Sequence, residues 1–75
     1  MDTQIHAKLV SVEADLLESI GYEDGTRILY LKMRTGETLR FDNVPRFRYQ
    51  GLLASPRKDA YYKAFVHGHF ISRQA

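Results

Sequence analysis

The chain contains no cysteine. Disulfide frameworks, thiolate zinc sites and cysteine nucleophiles are thereby excluded, and nothing of this kind points to an oxidising compartment. Tryptophan is also absent, and there are only two prolines. The longest apolar runs extend over a few residues, against the ~20 that a membrane-spanning helix needs, so no membrane association is expected. The opening Met1-Asp2-Thr3-Gln4-Ile5-His6 has no basic stretch followed by an apolar one. No secretory signal is therefore expected, and the expected location is the cytoplasm. Chemistry-bearing motifs are scarce as well. Ser11, Ser19, Ser55 and Ser72 lie in no nucleophile-elbow context, and no paired carboxylates stand in an apolar setting. No glycine-rich phosphate loop is present, since Gly25 and Gly36 belong to turns. A core of this size also leaves little room for an enclosed pocket. The chain is expected not to be an enzyme and to need no cofactor.

What is present suits a folded domain. The 75 residues make one small unit, with a thin core, because a chain this short buries only roughly 60 % of the surface it exposes when unfolded. With 44 % apolar and 27 % charged residues it is too apolar for intrinsic disorder. The net charge of +2 conceals an asymmetry. Residues 1–26 set Lys8 against Asp2, Glu13, Asp15, Glu18, Glu23 and Asp24, a net of −5. Residues 27–75 set ten Lys or Arg against Glu37, Asp42 and Asp59, a net of +7. Such polarity marks either an anion-binding surface or two segments that neutralise each other across the fold.

The hydrophobic pattern orders the elements. Residues 1–11 read as an N-terminal arm, with a short alternation of Val10 and Val12 that suits an edge strand. Leu16, Leu17 and Ile20 have helical spacing, yet Gly21 interrupts the run and Tyr22 favours a strand, so helix and strand stand level over 16–22. Glu23-Asp24-Gly25-Thr26 is a turn. Then Leu29, Leu31 and Met33 alternate with Tyr30, Lys32 and Arg34, and after Thr35-Gly36 the alternation resumes with Leu39 and Phe41 against Thr38 and Arg40. Two such runs joined by a glycine-containing turn predict a hairpin. Asn43-Val44-Pro45 predicts a helix start near Asn43 or Val44, with Phe47, Leu52 and Leu53 able to face inward and Gly51 weakening it. Ser55-Pro56 predicts the cap and first turn of a second helix, whose stripe is Tyr61, Tyr62, Phe65 and Val66 and whose stop is Gly68. Residues 72–75 are expected to fray.

Strands followed by helices predict an α+β domain over 12–71, with the helices on one face of a small antiparallel sheet. Period-two geometry then places Leu29, Leu31, Met33, Leu39 and Phe41 beneath the helices and leaves Tyr30, Lys32, Arg34, Thr38 and Arg40 on an open face.

Over roughly residues 12–70 the chain resembles the KTSC domain, a module of about this length named for its occurrence at the C-terminus of some lysyl-tRNA synthetases and found also as a stand-alone bacterial or phage protein. Ile20-Gly21-Tyr22 with Leu17 matches the family's opening strand; Leu29, Leu31, Met33 and Gly36 match the next. Val44, Pro45 and Tyr49 match a Val-Pro that opens a helix. The most specific block is Tyr61-Tyr62-Lys63-Ala64-Phe65-Val66-His67-Gly68-His69-Phe70. The family's YxY pair is Leu39 and Phe41 here, which retains packing and drops both hydroxyls. A serine pair is missing around Glu13-Ala14, and a Ser-x-Gly is replaced by Arg57-Lys58-Asp59. The resemblance implies that 16–22 is a strand, hence a three-stranded antiparallel sheet in the order β-β-β-α-α. An RNA-binding role is what the synthetase context implies.

The sequence-level site is the basic–aromatic sheet face. Lys32, Arg34 and Arg40 are positioned to meet phosphates, Tyr30 to stack on a base, and Arg48 to extend the patch from the helices. His67-x-His69 is read against a metal site, because no acidic residue lies nearby and the family carries basic residues around this glycine. The expected function is a non-enzymatic module that binds RNA or another nucleic acid. The alternative is a protein-interaction module of a bacterial, phage or prophage accessory protein. A monomer or weak homodimer is expected.

Overall fold

A computed structural model describes residues 7–75. One antiparallel sheet contains five strands in chain order: β1 (Val10–Ser11), β2 (Leu17–Glu23), β3 (Ile28–Met33), β4 (Thr38–Phe41) and β5 (Ser72–Gln74). Between β4 and β5 come α1 (Arg46–Ala54), α2 (Lys58–Tyr61) and a π-helical turn, Tyr62–Val66, which continues α2. The α+β class and the helices following the sheet agree with the sequence reading, but the sheet has five strands, not three. The two additional strands are the edges. They are two and three residues long: β1 falls where the Val10 and Val12 alternation suits an edge strand, whereas β5 lies in the segment expected to fray. The expected fraying over 72–75 gives way to pairing of Ser72, Arg73 and Gln74 with Phe41, Arg40 and Leu39.

The helix-like spacing of residues 16–20 has a specific origin. The β2–β3 register shifts between Leu17 and Ser19, and such an irregularity inserts a residue and resets which side chains face inward. Leu17 and Ile20, three apart, are consequently both fully buried. The helix-facing side of the sheet contributes Leu17, Ile20, Leu29, Leu31 and Phe41 to a core completed by Val44, Leu52, Tyr62 and Val66. Tyr22 also faces this side. It stacks on Tyr49 at 4.8 Å and donates its hydroxyl to the Val44 carbonyl at 2.6 Å.

Residues 12–16 cross from β1 to β2 held by two opposite charges. Arg34 Nε and Nη2 donate to the carbonyls of Ala14 and Val12 at 3.1 and 3.2 Å. Asp59 accepts from the backbone N–H groups of Asp15 and Leu16, both through Oδ2, at 2.8 and 3.1 Å. Hydrogen bonds to charged groups are worth more than neutral ones. These contacts supplement two backbone bonds of the segment, Val12 N–H to the Glu18 carbonyl at 3.0 Å and Arg34 N–H to the Leu16 carbonyl at 2.8 Å.

The second face of the sheet is not open. A Cβ on Gly21 would lie 2.8 Å from Leu9 Cδ2 and 3.0 Å from the Lys8 carbonyl oxygen, so residues 7–9 run directly across that position. Gly21 pairs with Tyr30, and paired residues share a face.

Helix ends differ from the sequence reading by a few residues. Pro45 is the N-cap of α1, without a side-chain cap, and Asn43 adopts a left-handed φ of 56°. Ser55 does not cap α2. Its Oγ accepts from the Arg57 N–H at 3.1 Å in a local turn, and α2 starts at Lys58. In the turn after β2 the positive φ falls on Arg27, not on Gly25. Phe47 is exposed, not inward. Tyr49, Leu52 and Leu53 form the face toward the core, and Phe47, two residues before Tyr49, lies about 200° round the helix from it.

Gly51 proves to be a contact position. A Cβ there would come within 2.8 Å of Tyr61 Cζ, so α2 packs against α1 through bare backbone. Gly51→Ala should improve intrinsic helix propensity by ~1 kcal/mol yet collide with Tyr61, an overpacking cost of about 1–3 kcal/mol. The expected outcome is a lowered urea midpoint. A raised one would show that Tyr61 moves aside freely.

β5 is attached through Asp42, which accepts from Arg40 Nε at 3.0 Å and from Arg73 Nη2 at 2.8 Å. The hydrogen bond from Arg40 chiefly holds its carboxyl below the ordinary value, with help from the charge of Arg73 and against a partial desolvation. A depressed folded pKa stabilises the fold above the unfolded value of about 3.9, and that contribution fades as pH falls through the folded value. Asp42→Asn should therefore be less stable than the parent at pH 7, with the gap in urea midpoint narrowing below about pH 4. A gap that stays constant down to pH 2 would show that the carboxylate charge is immaterial there.

Candidate nucleic-acid interface

The five residues singled out from the sequence do not form one surface. Tyr30 is only 5 % exposed and has no face to offer a base. It lies in a row across the sheet between Gly21 and Arg40, on the side that residues 7–9 cross. Arg34 is turned to the backbone of residues 12 and 14. Lys32 Nζ stands 3.8 Å from Glu18 Oε2, and Arg40 is paired with Asp42. The sheet face is thus a set of neutralised or covered groups, although period two assigned the side chains of β3 and β4 to the correct sides. The acidic first third meets the basic remainder directly: Glu18 with Lys32, and Asp24 with Arg46 at 3.2 Å.

Arg48 differs from these cations. It has no carboxylate within ion-pair distance among the described residues. Its Cζ lies over two aromatic rings, 5.0 Å from the centroid of Phe47 and 4.6 Å from that of Phe65. Phe65 in turn packs on Tyr61 at 4.8 Å, and Arg48 Nη1 reaches the Tyr61 hydroxyl at 3.5 Å. A guanidinium set against ring faces is held by cation–π attraction, which leaves its N–H groups other than the one directed at Tyr61 available. Both rings are outside the core: Phe47 is 61 % and Phe65 41 % exposed. The stretch from Arg46 to Ile71 adds Arg46, Arg57, Lys58 and Lys63 against the single carboxylate Asp59, which is turned to the N–H groups of residues 15 and 16.

Apolar periodicity places Phe47 and Phe65 inward and so passes over both. In the Tyr61, Tyr62, Phe65, Val66 stripe only Tyr62 and Val66 are buried. The turn closes five residues back, His67 N–H to Tyr62 carbonyl at 2.8 Å, and this wider winding sets Phe65 at the margin. An available signal was the excess of rings over what a 75-residue core can enclose: nine Phe and Tyr side chains.

Other groups assemble less. Tyr62 Oη and His67 Nδ1 are 3.4 Å apart, and burial, with Glu37 adding to it, pushes the Tyr62 hydroxyl up, so it stays protonated near neutrality. An open cleft of about 340 Å³ lies at the low end of the range for ligand pockets. It is lined by Asp42, Asn43, His69, Phe70 and Ile71, and its one carboxylate already holds two arginines. Among the described residues no three of His, Asp and Glu converge as a metal site requires, and no helix is long and apolar enough to cross a membrane.

A search of the curated proteins returns no match. Among solved structures, a KTSC domain protein from Yersinia pestis aligns with a TM-score of 0.88 at 24 % identity, covering 91 % of this chain and 96 % of that one. That likeness is one of fold. The family model for the KTSC domain matches residues 14–70, from the clamped crossing before β2 to the end of the aromatic block after α2. The chain belongs to the KTSC domain family.

Proposed function

We propose that this chain is a small non-enzymatic module that binds nucleic acid, RNA foremost, in the cytoplasm, and that it does so with its helical side and not with the sheet face. One observation carries this reading. Arg48 is ordered by two exposed rings and has no carboxylate partner among the described residues, while Lys32, Arg40, Arg46 and Arg73 each have one. A cation already neutralised by its own protein gains little from a phosphate, because it must give up an existing ion pair. Arg48, with exposed Arg57 and Lys63 on the same helical layer, has no such exchange to make. Exposed aromatic rings beside unpaired cations are the combination used to hold nucleic acid by stacking and charge.

Counterion release supplies the test. Each phosphate engaged in a single strand contributes about −0.7 to the slope of log affinity against log salt. Three engaged cations predict a slope of roughly −2 with a short RNA, and Arg48→Ala should reduce its magnitude by about 0.7 and weaken binding. Fluorescence anisotropy across a salt series measures both. An absence of RNA and DNA binding at low salt would overturn the proposal and favour a protein partner on the same rings. So would a slope that Arg48→Ala leaves unchanged.

A further inference from the structure

Resting on that reading, we infer that the Arg48 cluster selects unpaired nucleotides: two neighbouring bases stack on Phe47 and Phe65, and the phosphate between them sits on the Arg48 guanidinium. The chain has nine Phe and Tyr rings, and all lie within the described residues. Tyr30, Phe41 and Tyr62 are buried. Tyr22 and Tyr49 stack on each other, Tyr61 is pressed between Gly51 and Phe65, and Phe70 packs against the core. Only Phe47 and Phe65 are exposed. These are the same two rings over which Arg48 lies.

That coincidence chooses between kinds of nucleic acid. Within a duplex the interior bases already have neighbours on both π-faces, so exposed rings add little to binding and charge dominates. In a single strand the bases swing free and cover the rings, removing apolar surface from water as they stack. The guanidinium lies over part of each ring, the bases take the ring surface that stays exposed, and its remaining N–H groups suit the phosphate oxygens at the link between the two bases. Sequence preference is expected to be weak, since every base has a π-face.

The experiment compares an eight-nucleotide RNA strand, the same sequence as DNA, and the RNA duplex, each labelled, against the parent protein and Phe47→Leu, Phe65→Leu and Arg48→Lys. Both leucine variants keep an apolar side chain at an exposed position, and circular dichroism verifies their fold. Phe47→Tyr, which retains the ring, serves as the conservative control. The expected result is tighter binding of both single strands than of the duplex. Each leucine variant should weaken single-strand binding by roughly 5- to 150-fold, the range for one lost base–ring stack, with duplex binding unchanged and Phe47→Tyr near the parent. Arg48→Lys, which keeps charge without the planar fork, should weaken single strands by a smaller factor. Equal binding of strand and duplex, or leucine variants that bind strands as the parent does, overturns strand selection while leaving nucleic-acid binding intact. Failure of all three oligonucleotides to bind overturns the parent reading itself.

Discussion

The place where α1 carries no side chain determines how the helical side is built. With only backbone at Gly51, the ring of Tyr61 can lie directly on α1, and α2 with its π-helical continuation follows. Phe65, four residues on, packs against the seated Tyr61 ring, and the tyrosine hydroxyl is brought within reach of Arg48. A thin core cannot impose such an arrangement by burial alone. Here a single close approach between two short helices lets one element from each supply a ring to the same guanidinium. The cost is a glycine inside a nine-residue helix, unfavourable by about 1 kcal/mol relative to alanine and offset by the contact it allows.

Charge is used mainly for internal construction. Arg34 and Asp59 hold the crossing between β1 and β2 from opposite sides, Asp42 attaches the terminal strand through Arg40 and Arg73, and Glu18 and Asp24 face Lys32 and Arg46. Exposed pairs of this kind contribute little each, typically 0–1 kcal/mol. Their larger consequence is local: they remove most of the positive potential that the linear charge count places on the sheet. What stays unneutralised is concentrated on the helices, where the only carboxylate is turned inward to backbone N–H groups.

Much of the fold was legible because it rests on local rules. Alternation over β3 and β4 put Leu29, Leu31 and Phe41 on the core side, and turn chemistry at Gly36, which has a φ of 100°, closed the hairpin between them. Gly68, at a φ of 80°, marked the end of the helical run. Of the edge strands, β1 left a trace in the alternation of Val10 and Val12, whereas β5 was not legible, since three residues show no period and their pairing is decided by β4, more than thirty residues away. The strand over 16–22 resembled a helix for a definable reason: the irregularity between Leu17 and Ser19 produces a three-residue spacing of buried side chains, the same spacing that a helix produces.

Of the proposed cluster, only Arg48 is among the residues singled out from the sequence. The residue types, their order, and the side of the sheet each strand residue faces follow from the chain itself, because these depend on neighbours within a few positions. Whether a given cation is free depends on which carboxylate or carbonyl the fold brings to it, and for Arg34 those partners are about twenty residues distant. Exposure of a ring likewise depends on what crosses over it: residues 7–9 cover the sheet beside Tyr30, while Phe47 stays exposed beneath the Arg48 guanidinium. The linear sequence therefore determined an α+β domain with more cations and rings than its core can use. Tertiary contacts decided which of them remain available, since neutralisation and burial are properties of pairs that sequence distance does not specify.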